Sequence, residues 1–231
     1  MPPKRRPGPL SEVVRAVVFD LDGTLVHSAP DIHAAASRML VAEGVAPLDL
    51  ETIVSFVGNG VPTLVARVIA ATGLDEASEN HARLTSVMLG YYAEDPATLS
   101  RLYPGVPEVL ARLASEGVRL GICTNKPEAP AREILKHFGI AQNFDVVIGG
   151  DTLTTRKPDP TMLTATYAAL ECETGVFVGD SEVDAETAQR AGCPFALFTE
   201  GYRKTPVSQI PHDAGFSAYD DFAAVLSVLQ R

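Results

Sequence analysis

Five short apolar runs separated by helical patterns constrain the fold of this chain more than any other feature. They cover residues 13–21, 118–124, 144–148, 176–179 and 194–199. Each is continuous rather than alternating, the pattern of a strand covered on both faces, as in a parallel sheet. Between them Val106, Val109, Leu110 and Leu113 form one helical stripe, Ile134, Leu135 and Phe138 a second, and Leu163, Thr166, Tyr167 and Leu170 a third. Gly117 and Gly139 stand where the first two should stop, since glycine accepts the left-handed conformation of a C-terminal cap. Strand alternating with helix predicts an α/β, doubly wound, Rossmann-like parallel-sheet core.

Residues 28–96 break the alternation and predict helices alone. Ile32, Ala35, Ala36, Met39 and Leu40 form a stripe that starts after Ser28, has Pro30 in its first turn and ends at Gly44. Leu64, Val65, Val68 and Ile69 form another, closed by Gly73, and Leu84, Val87, Met88, Tyr91 and Tyr92 a third. The expected organisation is a flexible tail over 1–10, a core over 11–27 and 97–231, and a small all-helical cap over 28–96 inserted after the first strand. Lys4, Arg5 and Arg6 make the tail a candidate arm for an anionic partner, but its composition is first of all that of a solvated segment.

Composition narrows the function. Twenty-nine acidic residues against 19 basic give a net charge of −10, which argues against a nucleic-acid partner. Three cysteines, Cys123, Cys172 and Cys193, with no Cys-x-x-Cys spacing, argue against a disulfide framework and fit a reducing compartment. No segment is apolar for long enough to span a membrane, and the start lacks the apolar stretch of a signal peptide. A soluble, cytoplasmic protein is expected.

The chemistry lies where strands end, which is where open α/β sheets hold ligands. The first run ends Phe19-Asp20-Leu21-Asp22-Gly23-Thr24. Two carboxylates two residues apart in a partly dehydrated site repel, and a hard divalent cation, Mg²⁺ rather than zinc, relieves that cost where no His or Cys accompanies them. Asp-Gly by itself is also an ordinary turn. Thr124-Asn125-Lys126 follows the second run, and Lys157 stands directly before Pro158-Asp159-Pro160. The fourth run ends Gly179-Asp180-Ser181-Glu182-Val183-Asp184, where the two aspartates suit either a metal site or a helix cap. Four such clusters at four strand ends in one chain indicate a shared site.

These residues, in this order, resemble the four motifs of the haloacid dehalogenase superfamily. The match is Asp20-x-Asp22-Gly23-Thr24, then Thr124-Asn125, then Lys157, then Gly179-Asp180-x-x-x-Asp184, and it spans almost the whole chain beyond the tail. The resemblance implies that Asp20 is a nucleophile and Asp22 a general acid/base. It implies that Gly23, Thr24, Thr124, Asn125 and Lys157 hold the phosphoryl group, and that Mg²⁺ is bound by Asp20, Asp180 and the Asp22 carbonyl. Asp184, with Ser181, would support the site by orienting Lys157 or a metal-bound water. An aspartate at position 22 points to phosphatases and mutases rather than dehalogenases, and the helical insert resembles the superfamily's first cap type.

The cap is expected to select the substrate. Gly58-Asn59-Gly60 opens a helix in which Arg67 follows two turns on. Read alone, these are a turn and a solvated side chain; together they also suit a second anion such as a carboxylate. With Ser28-Ala29-Pro30-Asp31, Tyr103-Pro104-Gly105 and the 179–188 stretch, they resemble bacterial phosphoglycolate phosphatases. The implied reaction is hydrolysis of 2-phosphoglycolate, a small phosphate ester, by a monomer or homodimer. Rivals inside the superfamily are a β-phosphoglucomutase-like mutase, a pyrophosphatase and a broad sugar-phosphate phosphatase. A receiver-type phosphate switch shares the acidic, Thr and Lys residues but carries its phosphorylated aspartate on a middle strand and has no helical insert. One departure is His27, where those phosphatases usually carry an acidic residue: either an altered hinge contact or a tolerated substitution.

Overall fold

The strands form because short runs of branched and aromatic side chains find apolar cover on two sides. In the computed structural model, which describes residues 14–229, β1 (Ala16–Phe19) is buried at every position. Val17 and Phe19 face one apolar cluster, and Ala16 and Val18 face another. The expected tail over 1–10 lies outside the described residues. With β4 (Arg119–Cys123), β5 (Val146–Ile148), β6 (Val176–Gly179), β7 (Phe195–Phe198) and β8 (Ala214–Phe216), β1 forms a six-stranded sheet in the order β5-β4-β1-β6-β7-β8. Every pairing in it is parallel. Helices α5 (Val106–Ser115), α6 (Glu128–His137) and α9 (Phe222–Leu229) contribute to the Val17 and Phe19 side. Helices α7 (Thr161–Ala169) and α8 (Glu182–Ala191) cover the Ala16 and Val18 side. The sheet is therefore doubly wound, as expected, and β1 lies centrally with β4 and β6 as neighbours.

A second sheet has only two strands, β2 (Val26–His27) and β3 (Arg101–Leu102), paired antiparallel with Val26 opposite Leu102 and His27 opposite Arg101. Between them run α1 (Ala29–Ala42), α2 (Leu50–Phe56), α3 (Val61–Thr72) and α4 (Ser78–Glu94), each packed on its neighbours, with α1 also against α4. The stripes read from the sequence are the buried ones: Ala35, Ala36, Met39 and Leu40 on α1, Leu64, Val65, Val68 and Ile69 on α3, and Leu84, Met88 and Tyr92 on α4. Gly73, at φ +69°, closes α3 as predicted.

Asp31, buried near the start of α1, accepts hydrogen bonds from the Leu99 and Ser100 amides and the Ser100 hydroxyl. That carboxylate and the β2–β3 pair tie together the two chain segments that connect the helices to the large sheet.

Five elements were not expected from the sequence: α2, β2, β3, β8 and α9. Helix α2 buries only Ile53 and so shows no stripe; Asp49 caps it by accepting the Thr52 amide at 2.7 Å. Strands β2 and β3 are too short for periodicity to register, and β8 is an Ala-Gly-Phe run. One local reading is corrected. Ser28 precedes α1 but makes no side-chain cap, because its hydroxyl donates to Asp22 Oδ1 at 2.6 Å instead.

Candidate active site

The site begins where β1 stops. The Asp20 amide donates to Val178 O on β6 at 2.8 Å, extending the ladder by one residue, and the chain then turns around Leu21. The Leu21 carbonyl accepts from the Leu25 and Val26 amides, so Leu21 is buried while Asp20 and Asp22 leave the sheet on the same edge. Gly23 completes the turn at φ +89°, and a Cβ there would stand 2.5 Å from Asp180 Oδ2 and 2.8 Å from the Tyr202 ring. The backbone thus approaches the neighbouring strand end more closely than any other residue allows.

From β6, Asp180 turns toward Asp20. Its Oδ1 accepts the Thr24 hydroxyl at 2.7 Å and its Oδ2 the Tyr202 amide at 2.6 Å. The next residue, Ser181, caps α8, and Asp184 answers it in a capping box. Asp184 Oδ2 accepts the Ser181 hydroxyl at 2.7 Å and the Asp180 and Ser181 amides at 3.2 Å. Its Oδ1 accepts Lys157 Nζ at 2.6 Å. Lys157, with its side chain 2% exposed, also stands 3.0 Å from Asp20 Oδ1. Lys157 follows the loop after β5, and Asn125 fixes it there: the Asn125 side chain accepts the Lys157 amide and donates to its carbonyl, both at 3.0 Å.

One oxygen from each of Asp20, Asp180 and Asp184 lies within 4.8 Å of the others. Burial pushes Asp20 up to about 6; Lys157 works against that rise, and Asp184 and Asp22 add to it. Burial likewise raises Asp180 well above the carboxylate range, reinforced by Asp184 and Asp20. Burial also works against the charge on Lys157, but Asp184 and Asp20 outweigh it and raise its pKa. Three carboxylates against one ammonium leave an excess of negative charge in a dehydrated space. Asp20 Oδ1 is buried and outside hydrogen-bond geometry, although Lys157 is near. An all-oxygen donor set with that excess fits a hard divalent cation. Asp20 and Asp180 are the side chains suited to hold it: Asp20 Oδ1 has no hydrogen-bond partner and each Asp180 oxygen meets one neutral donor, whereas Asp184 holds the Lys157 ammonium on Oδ1 and three donors on Oδ2.

Asp22 faces away from this cluster. Besides Ser28, it meets Lys126 Nζ at 3.1 Å from Oδ1 and 3.2 Å from Oδ2. The Lys126 side chain is 4% exposed and its ammonium sits 4.3 Å from the centre of the Tyr92 ring. Burial opposes its charge, but Asp22 and Tyr92 prevail and raise its pKa. Asp20, Asp22, Thr124 and Lys126 line a cavity together with Pro127 and Pro130 and with residues of the helical segment, among them Ile32, Leu64, Met88 and Tyr92. A second groove leaves Asp20 and Asp22 between Val57 and Gly58 on one side and Asp180, Tyr202 and Lys204 on the other.

The sequence reading of the strand ends is gathered in one place: Asp20, Asp22, Gly23, Thr24, Thr124, Asn125, Lys157, Asp180, Ser181 and Asp184 converge. The cap residues divide. Gly58 and Gly60 border the cavity, and the Gly58 carbonyl accepts Asn125 Nδ2 at 3.0 Å. Arg67, in contrast, donates to Phe56 O at 2.8 Å and to Asn59 Oδ1 at 3.0 Å. Its guanidinium and Asn59 brace the loop instead of lining the cavity. Three participants were absent from the predicted set. Lys126 was legible, standing directly after Thr124-Asn125. Ser28 was legible only as a helix cap. Tyr202 supplies a backbone amide to Asp180 and accepts the Ala29 amide on its hydroxyl at 2.9 Å, roles that leave no sequence signal. His27 Nδ1 stands 3.1 Å from that same hydroxyl, so the unusual residue belongs to the junction between sheet and helices.

Comparison with known proteins agrees with this geometry. The sequence profile described as haloacid dehalogenase-like hydrolase matches residues 17–198. A phosphoglycolate phosphatase of Cereibacter sphaeroides is 53% identical over 210 residues, covering 91% of this chain and 96% of that one. One from Rhodobacter capsulatus is 43% identical over 93% of this chain and 96% of its own. Among solved structures, that of a predicted phosphoglycolate phosphatase from Haemophilus somnus superposes with a TM-score of 0.86 at 30% identity, covering 92% of this chain and 97% of that one.

Proposed function

The chain belongs to the haloacid dehalogenase-like hydrolase family, and from that premise we propose that it is a Mg²⁺-dependent phosphatase converting 2-phosphoglycolate to glycolate and phosphate through an aspartyl-phosphate on Asp20. The observation that carries the reading is the pairing of two unlike carboxylates at one strand end. Asp20 lies buried in an acidic cluster with Lys157, and Asp22, two residues on, faces the cavity. The phosphoglycolate phosphatases that match nearly the full chain supply the substrate.

In this mechanism an Asp20 oxygen attacks phosphorus and the ester P–O bond breaks, which divides one hard step into two. Asp22 gives its proton to the leaving oxygen of glycolate. It then takes a proton from the water that attacks phosphorus, the bond to Asp20 breaks, and phosphate leaves. Positioned acid–base assistance of this kind contributes roughly 10²–10⁴-fold. Lys157 and Thr124 offer donors to the phosphoryl oxygens, with Asp184 holding Lys157 and Asn125 holding its backbone. Asp20, Asp180 and the Asp22 carbonyl would hold Mg²⁺, which would supply neutralisation of charge on the transferring group.

Residues 28–96 act as a cap over the core of 11–27 and 97–231, with β2 and β3 as its two connections, and the enzyme works in the cytoplasm as a monomer or homodimer. No helix among the described residues is long and apolar enough to cross a membrane. The test is phosphate release with and without Mg²⁺ from 2-phosphoglycolate, β-glucose 1-phosphate, pyrophosphate and several sugar phosphates. A kcat/KM for 2-phosphoglycolate about a hundredfold above the others is expected, near 2.7 kcal/mol of discrimination. Equal rates across the panel would remove the named substrate.

A further inference from the structure

A phosphatase specific for 2-phosphoglycolate must recognise a second anion, the carboxylate one methylene away from the ester oxygen. Arg67, which the sequence offered for this task, has its guanidinium bound to Phe56 O and Asn59 Oδ1. We propose that Lys126 is the residue that reads this carboxylate, an assignment that rests on the phosphatase reading above.

Three observations carry it. First, Asp20, Asp22 and Lys126 are the charged residues among the described residues that line the cavity, so Lys126 is the cation among them. Lys157, buried between Asp184 and Asp20, lies outside that lining. Second, Lys126 is held in place. Its ammonium meets both oxygens of Asp22 and rests over the Tyr92 ring, so the charge is aimed without further ordering of a long side chain. Third, the placement of Lys126 beside Asp22 suits the chemistry. If Asp22 protonates the ester oxygen, a group one methylene from that oxygen reaches the immediate neighbour of Asp22, and that neighbour is Lys126. The facing wall of Ile32, Leu64 and Met88 has no hydrogen-bonding side chain for the hydroxyls of a sugar, which would lose their water without replacement.

The alternative is that Lys126 only positions Asp22, and ethyl phosphate separates the two, because it replaces the carboxylate by a methyl group and keeps the same ester. The wild-type chain and Lys126→Met are to be compared on both substrates. Methionine keeps the stem over Tyr92 and removes the charge. In the wild type, kcat/KM is expected to favour 2-phosphoglycolate strongly; in Lys126→Met that ratio is expected to fall about a hundredfold, the scale of a charge-assisted hydrogen bond. Lys126→Gln, which keeps a donor for Asp22, is the second variant in case the first does not fold, and is expected to lose the preference too. An equal fall for both substrates in the variants would overturn the assignment and leave the phosphatase reading standing. A wild type that hydrolyses both substrates equally would also overturn it. A wild type that hydrolyses neither would instead refute the phosphatase reading, and this assignment with it.

Discussion

Replacing Asp184 by Asn tests the electrostatic frame of the site without touching the proposed nucleophile. The Asp184 carboxylate is buried and accepts on both oxygens, Lys157 Nζ on Oδ1 and three donors from Asp180 and Ser181 on Oδ2. An amide has one acceptor oxygen and one NH₂, so either orientation turns a donor toward a donor. If the NH₂ faces Lys157, a charge-assisted bond of about 1.5–3 kcal/mol is lost and an ammonium is left buried beside Asp20 alone. If it faces Ser181, the capping box of α8 opens. Breaking one side of a buried pair costs about 3–5 kcal/mol, and the two estimates overlap near 3. Urea unfolding of the metal-free protein should therefore show a loss of about 3 kcal/mol. At the same time Lys157 loses its orienting partner, so kcat should fall by about 10², as when one preorganised donor is removed. A stability loss below 1 kcal/mol, or unchanged turnover, would refute the reasoning that Asp184 fixes Lys157.

Three further outcomes follow from particular contacts. Gly23→Ala combines a left-handed φ, about 1–2 kcal/mol for a residue with a Cβ, with a contact against Asp180 Oδ2 that the Tyr202 amide prevents from yielding. A loss of about 2–4 kcal/mol and weaker divalent-cation binding are expected by urea unfolding and calorimetry; unchanged values would contradict the close approach. In the metal-free protein the Asp20 pKa lies near 6 in the folded chain against 3.8 unfolded. The folded state therefore keeps a proton that the unfolded state has lost, and stability from this group falls as pH rises from about 4 to 6. Asp20→Asn should gain on the wild type by up to about 3 kcal/mol across that window, and a pH-independent difference would count against the raised pKa. Asp31→Ala leaves the Leu99 and Ser100 amides without their acceptor and should cost about 2–4 kcal/mol, with faster amide exchange at 99 and 100. Protection unchanged from the wild type would show that the β2–β3 pair alone holds the junction.

The large sheet was legible because parallel strands buried on both faces, such as 16–19 and 176–179, read as unbroken apolar runs, and because glycines such as Gly73 punctuate the helices between them. The strand-end carboxylates were legible because Asp20-x-Asp22 and Asp180-x-x-x-Asp184 are costly in any role that does not use them. What escaped has a common cause. Helix α2 buries one side chain, β2 and β3 are two residues long, and Tyr202 acts partly through its backbone, so none leaves a periodic or compositional trace. Arg67 shows the opposite limit: residue type and spacing suit an anion, but the direction of the guanidinium is settled by the Phe56 carbonyl and Asn59, which only the folded loop brings to it. Lys126 was in plain view after Thr124-Asn125; its meaning depends on Tyr92 and Asp22, which come from two other parts of the chain.

The central claim is that Asp20 carries the phosphoryl group. Rapid quench of the enzyme turning over 2-phosphoglycolate, followed by borohydride reduction and peptide mass spectrometry, tests it directly, because reduction of an acyl phosphate converts that aspartate to homoserine. The account predicts homoserine at position 20, dependent on substrate and divalent cation, with none at position 22. Homoserine at position 22, or an unmodified Asp20 under conditions of steady turnover, would contradict it.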